Sequence, residues 1–322
     1  KDQDKVKKQL SSMYKSFFNK IDLSNKKIKK IIIISDKYTE GLPFGMLYDE
    51  KKEKYLSELY AISYQPSVGS FIELRNKAIK TNITYNSIFL GVGDPYLQKK
   101  SIKDYIVSLS DFSLTRGGIL EDSTIIKKNY ENLPYTKKEL KSISKLFLNK
   151  KLLLSKDANE KTLKELELTT YDIISFATHA AVSGELENTA EPFLVLTPPE
   201  KTSFFNDGIL TASEISQLDL NAKLVILSAC NTASKENEYA PGFSGLVAAF
   251  FKAGAESVFA THWAVADKTT SIMLRETINK TVKNNIALPT ALSLTKIEFI
   301  NGKYGAKYTN PKYWAPYVVI GS

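Results

Sequence analysis

The chain has 322 residues, 43% hydrophobic and 25% charged, with one cysteine, two histidines and a formal net charge of +9. That is the composition of a globular chain with a sizeable core, in one large domain or two modest ones. It excludes an internal disulfide, the four-ligand zinc patterns and any run near the ~18 apolar residues of a membrane span, and no signal-peptide pattern opens it.

The charge is uneven. Residues 1–30 hold ten lysines against three aspartates, so the leader carries most of the surplus and the body is nearly neutral. Within the leader, Val6, Leu10, Met13, Tyr14, Phe17, Phe18 and Ile21 recur at steps of three and four residues. This predicts an amphipathic helix with lysines on its other face, in a leader spanning 1–29. The chain opens on Lys1 rather than methionine, which points to a piece of a longer protein.

From Lys30 the pattern changes. Ile31–Ile34, Leu59–Ser63 and Ser87–Val92 read as strands, with a helix near Ser67–Lys80 between the last two. The Gly91-Val92-Gly93-Asp94-Pro95 run lacks a third glycine, and Pro95 opposes a helix start, so a dinucleotide fingerprint fails. Residues 97–130 show no period and read as a long loop or insertion. A helix is expected over Lys137–Leu148, with Thr136 as N-cap and Glu139 completing a capping box. These residues make up a first half over 30–150.

The half over 151–322 alternates more cleanly. Strands are expected at Tyr171–Thr178, Phe193–Leu196, Lys223–Ala229, Ser257–Trp263 and Tyr317–Ile320. Helices are expected at Thr211–Gln217, Gly242–Ala253, Ala266–Lys280 and Thr290–Ile300, with Gly254 stopping the second. Strands alternating with helices predict an α/β fold with a parallel sheet covered on both faces.

In such a sheet the C-terminal strand ends share one rim, where ligand crevices form. His179 follows the strand ending at Thr178. Cys230, the sole cysteine, follows the strand ending at Ala229, and Asp267 lies just beyond Trp263. An imidazole beside a thiol suits acyl transfer: the base ionises the sulfur or protonates the leaving amine, and nearby backbone N–H groups hold the oxyanion. The competing reading is a buried Cys acting as a small hydrophobe and a structural His. Asp267 has its own alternative, as a helix cap. His262 reads as structural or as part of the cleft, and Glu185, Glu187 and Glu191 as solvated acids or secondary pocket acids. Gly242-Phe243-Ser244-Gly245 is broken as a serine-hydrolase elbow by Leu246.

Motifs then converge on one family. They are Phe176-Ala-Thr-His179-Ala180, Pro192-Phe-Leu-Val-Leu196, Asp207-Gly-Ile-Leu-Thr-Ala-Ser-Glu-Ile215, Leu224-Val-Ile-Leu-Ser-Ala-Cys230, Gly245 through Ala255 and Trp263-Ala-Val-Ala-Asp267. With Leu42-Pro43-Phe44, Gly91 through Pro95, Leu133-Pro134-Tyr135-Thr136 and Tyr313 through Tyr317, they resemble the CHAT domain from about residue 30 to the end. CHAT domains are caspase-like peptidases related to separase and often fused to tetratricopeptide repeats. The resemblance implies a caspase-like three-layer α/β/α sandwich with a mostly parallel sheet, a pseudo-caspase-like N-terminal half and a catalytic C-terminal half. It implies a cysteine endopeptidase without metal or cofactor, with His179 and Cys230 as the dyad, 51 positions apart against about 50 in caspases. Backbone N–H groups of Ala180 and Cys230 would form the oxyanion hole. Ala180 departs from the family's usual glycine, which raises a steric question if the position needs a positive φ.

Trp263 through Asp267 resembles the separase segment that recognises the basic residue before the scissile bond, which implies substrate binding by Asp267 and Trp263. The expected setting is cytoplasmic: a protease effector of prokaryotic defence or cell death that acts on a protein substrate. An upstream helical repeat and an activating partner, such as a CRISPR-type complex, would release it. Direct nucleic-acid or membrane contact is not expected. The alternative is a catalytically silent caspase-like binding module.

Overall fold

The computed structural model describes residues 2–23, 25, 27–36, 39, 41–76, 82–97, 133, 135–181, 191–199, 206–228, 245–263, 265 and 267–321. In chain order the strands are β1 (Lys30–Ile34), β2 (Tyr48–Asp49), β3 (Lys54–Tyr55), β4 (Ala61–Gln65), β5 (Phe89–Pro95), β6 (Lys150–Ser155), β7 (Ile173–Ala177), β8 (Ala180–Ala181), β9 (Phe193–Val195), β10 (Ile209–Thr211), β11 (Leu224–Leu227), β12 (Val258–Thr261) and β13 (Tyr317–Ile320). The helices are α1 (Asp2–Phe18), α2 (Leu56–Leu59), α3 (Val68–Asn76), α4 (Thr136–Ser144), α5 (Glu160–Lys164), α6 (Ala212–Ile215), α7 (Gly245–Lys252), α8 (Asp267–Asn284), α9 (Leu288–Ile300) and α10 (Pro311–Trp314).

Eight strands form one sheet in the order β1-β4-β13-β12-β11-β7-β5-β6. Neighbours are parallel except β12 and β13. The sheet is mostly parallel, but it consists of two opposed blocks. β6, β5, β7, β11 and β12 run one way; β13, β4 and β1 run the other. Strict alternation of strands and helices predicts parallel neighbours throughout, and Tyr317–Ile320 departs from that. Its direction depends on the edge from which the chain returns after α10, which no local residue pattern encodes. β7, β11, β12 and β13 are buried along their whole length, as their unbroken apolar runs require.

Both faces carry helices. Side chains alternate along a strand, so Gly91, Gly93, Ser175 and Ala177 share one face and Val92, Ile174 and Phe176 the other. Leu140 of α4 reaches the glycines, while Phe250 of α7 meets Phe176 with ring centroids 5.4 Å apart. The helices therefore lie on opposite faces, and the architecture is a three-layer sandwich. The Gly-Val-Gly run is a seat for α4. A Cβ on Gly93 would stand 2.3 Å from the Ala177 carbonyl oxygen and 2.9 Å from Leu140 Cδ1. Only a glycine lets helix and strand approach this closely. Gly254 stops α7 as expected, with φ +111° and its N–H bonded to the Phe251 carbonyl.

The basic leader helix packs on the β2–β3 hairpin. Leu10 and Phe18 are buried, Tyr14 donates to Asp49, and Lys7 sits over the Tyr48 ring. Lys15 pairs with Glu50 at an exposed site, where such a pair contributes little. Several elements escape the sequence patterns: β6, the β2–β3 hairpin, and β8 and β10, which flank the expected strand β9 in a satellite sheet of order β10-β9-β8. The helix expected over Lys137–Leu148 runs Thr136–Ser144, and the expected capping box is absent. Its N-cap is Tyr135, which makes no side-chain cap bond. Apart from Leu97, the aperiodic stretch 97–130 lies outside the described residues.

Candidate active site

β12, β11 and β7 are adjacent and parallel, so their C-terminal ends open on one rim. At the end of β7 the chain leaves the main sheet for the satellite sheet, and His179 is the joint. Thr178 Oγ1 donates to the Val195 carbonyl, and Val195 N–H donates to the His179 carbonyl at 2.9 Å. Ala180 and Ala181 then pair with Leu194 and Phe193. Backbone bonds on both sides thus fix where the half-buried His179 emerges.

On the neighbouring strand, Leu227 lies beside Phe176, and Ser228 N–H donates to the Phe176 carbonyl at 2.9 Å. Cys230 follows two residues later and lies outside the described residues, as do Glu185 and Glu187. The rim holds a cavity of about 90 Å³ whose walls include Glu139, Thr178, His179, Ser228, Thr261 and Thr270. A larger cleft of about 550 Å³, between Lys164, Glu167, Glu214 and Asp219, contains none of the candidate residues.

The other candidates sit as follows. Asp267 is the first residue of α8, just beyond the end of β12. Trp263 is half-buried against the core and donates its indole N–H to the Lys312 carbonyl at 3.1 Å. His262 is buried and meets Tyr64 edge-on, with centroids 6.0 Å apart. Glu191 accepts from Ser213 N–H at 2.7 Å, at the start of α6. Among the described residues no group of three or more His, Cys, Asp or Glu is arranged to hold a metal ion, and no helix is long and apolar enough to cross a membrane.

A family model described as the CHAT domain matches residues 6–322. The chain belongs to the CHAT domain family.

No curated protein matches the sequence. Among solved structures, the CHAT chain resembles separase in the Saccharomyces cerevisiae separase–securin complex. The TM-score is 0.53 at 14% identity, over 91% of this chain and 16% of the separase chain. It also resembles the complex of Porphyromonas gingivalis RgpB pro- and mature domains. There the TM-score is 0.53 at 9% identity, over 99% of this chain and 68% of the other. The chain thus spans about a sixth of the separase chain it matches. These neighbours are caspase-like cysteine peptidases, and the fold they share with this CHAT chain is the caspase-like α/β fold.

Two features of the CHAT site bear on its geometry. Ala180, where the family usually has glycine, is an extended β8 residue and not among those with positive φ, so its methyl group causes no backbone strain. The Val195-to-His179 bond makes Ala180 and Leu194 a non-hydrogen-bonded pair, so the Ala180 N–H points away from β9.

The second feature is a clamp on the residues that lead into β10. The fully buried Glu160 carboxylate accepts from the N–H groups of Asp207 and Gly208, each at 2.6 Å, and from Lys164 Nζ at 2.8 Å. Burial, reinforced by the charges of Glu160 and Glu214, pushes the Asp207 carboxyl up to about 7. Because this folded value lies above the ordinary carboxylate value, the folded state holds the extra proton. Stability is greatest below about pH 4 for this group and falls as pH rises through about 7. Asp207→Asn keeps the Oδ1 acceptor used by Ile209 N–H. It is expected to raise the melting temperature at pH 8 and leave it nearly unchanged below pH 4; thermal melts at both pH values check this.

Proposed function

We propose that this CHAT domain is the catalytic part of a regulated cysteine endopeptidase, with Cys230 as nucleophile and His179 as its acid–base partner. The observation that carries the reading is the placement of His179. It is held at the rim by bonds on both sides, one strand from the chain that leads through Ser228 to Cys230. In the proposed reaction the Cys230 sulfur attacks the scissile carbonyl carbon, and the N–H groups of Ala180 and Cys230 receive the oxyanion. The C–N bond then breaks as His179 protonates the leaving amine. Water, deprotonated by His179, releases the acyl group from sulfur. Residues 30–150 serve in this reading as the supporting, non-catalytic half.

Asp267, at the head of α8, is assigned the basic side chain preceding the scissile bond, with Trp263 as a neighbouring wall. A carboxylate there favours arginine, which it can hold in a bidentate fork, over lysine. The wider reading is an effector of a TPR–CHAT type prokaryotic defence or cell-death system acting on a cytoplasmic protein. An upstream helical repeat and a protein partner would control it. The separase neighbour is itself a complex with securin.

Cleavage profiling of a peptide library, with the full natural chain and its activating partner, tests the specificity. Cuts after arginine, and less often lysine, are expected, and Asp267→Ala should remove that preference while leaving residual cleavage. Indifference to a basic residue would overturn the Asp267 assignment, and absence of cleavage by the activated chain would favour a silent binding module.

A further inference from the structure

We infer that β1 is a self-association surface: a second copy of this chain pairs with it edge to edge, antiparallel, about a two-fold axis. The inference does not depend on the peptidase reading.

The first observation is a sheet edge without the usual protection. Among the described residues no strand pairs with the outer side of β1. Exposed apolar edges invite pairing with another chain, and proteins blunt them with charges, prolines or bulges. β6, at the opposite edge, follows that rule: its register with β5 breaks at its end, and none of its leucines is exposed. β1 departs from it. Lys30, Ile32 and Ile34 share one face and are exposed, Ile32 by 42% and Ile34 by 41%, whereas Ile31 and Ile33 pack against the core.

The second observation is the direction of the backbone groups. Ala61 N–H donates to the Lys29 carbonyl at 3.0 Å. Alternate residues of a parallel ladder serve alternate sides, so Lys29, Ile31 and Ile33 bond to β4. Lys30, Ile32 and Ile34 therefore direct their N–H and C=O groups away from the sheet. The outward backbone groups and the exposed isoleucines belong to the same residues, and one added strand engages both.

The third observation is charge. Antiparallel pairing of β1 with itself must match outward residues with outward residues. The two registers that overlap the strands best put Ile32 opposite its own copy or opposite Ile34. Both bring Lys30 of one copy beside Asp36 of the other, diagonally in the first register and directly in the second, on the face that carries Ile32 and Ile34. Lys30 and Asp36 are exposed, and Asp36 Oδ1 accepts from the Thr39 N–H and hydroxyl, which fixes the carboxylate at the strand end. A two-fold interface needs a patch that is its own complement. The segment from Lys30 to Asp36, basic at one end, acidic at the other and apolar between, is such a patch.

Sedimentation velocity of the full natural chain over about 1–100 μM tests this, with melting temperatures to check folding. A reversible monomer–dimer equilibrium is expected. Ile32→Lys should weaken the dimer by at least about 100-fold, and Lys30→Asp, which sets acid against acid twice, by about tenfold. Mixing Lys30→Asp with Asp36→Lys should restore association, because one copy is then acidic at both strand ends and the other basic. Asp36→Lys also removes the acceptor for Thr39, and if it fails to fold, Ile32→Lys and Lys30→Asp decide the matter alone. A monomer at every concentration would overturn the inference. So would a dimer whose affinity is unchanged in Ile32→Lys and in Lys30→Asp.

Discussion

Replacing Cys230 with alanine is expected to lower kcat/KM for a cleaved peptide by at least about 10³-fold, and His179→Ala by a similar factor. The two losses should not add, because nucleophile and base act as one unit: the double variant should be about as inactive as either single one. Their physical basis differs. Without Cys230 no acyl-enzyme forms. Without His179 the sulfur remains, but the leaving amine lacks its proton donor and water lacks its base. In His179→Ala the bond from Val195 is kept, because the backbone of residue 179, not its ring, accepts it. Steady-state kinetics of the three variants alongside melting curves separate this outcome from general unfolding.

The second large effect concerns stability. Lys296 of α9 is buried, and its ammonium meets only the Ala315 carbonyl, at 3.5 Å, among the described residues. Burial alone drives its pKa down to about 7 from the ordinary 10.5. A base whose folded value is depressed destabilises the fold fully below about pH 7. The penalty shrinks as pH rises and is gone above about 10.5. Lys296→Met keeps the length of the chain and removes the charge. It is expected to stabilise the protein by about 1–4 kcal/mol at pH 6. The advantage should decline steadily through pH 9. Urea unfolding at several pH values measures it; equal gains at pH 6 and pH 9 would mean that charge burial is not the cause.

Much of the catalytic block was legible because its strands are apolar on both faces. Leu224–Leu227, Val258–Thr261 and Tyr317–Ile320 stand out as unbroken runs, and helices of the right period separate them. The sequence patterns put His179 and the segment leading to Cys230 at strand ends; that the two strands are neighbours is shown by the pairing of β7 with β11. Other elements carry no such signal. β6 starts with two exposed lysines and sits at a sheet edge, where half-exposed positions blur the pattern. β8 and β10 have two and three residues and exist only through their pairing with the expected strand β9. The direction of β13 is a property of the chain path.

Glu139 shows the same limit at the site. Local spacing assigns it to a helix cap, and only the seat made by Gly91 and Gly93 turns it toward the cavity of His179. Those glycines were visible as a motif, but the partner they accommodate lies more than forty residues away, in α4.

The most direct measurement is the intact mass and peptide map of the activated full chain after treatment with an arginine-ended peptidyl acyloxymethyl ketone, which alkylates a catalytic thiolate. One adduct on Cys230 is expected, with peptidase activity lost in proportion, and His179→Ala should suppress both. Persistent peptide cleavage with Cys230 unmodified, or labelling that is indifferent to His179, would contradict the dyad.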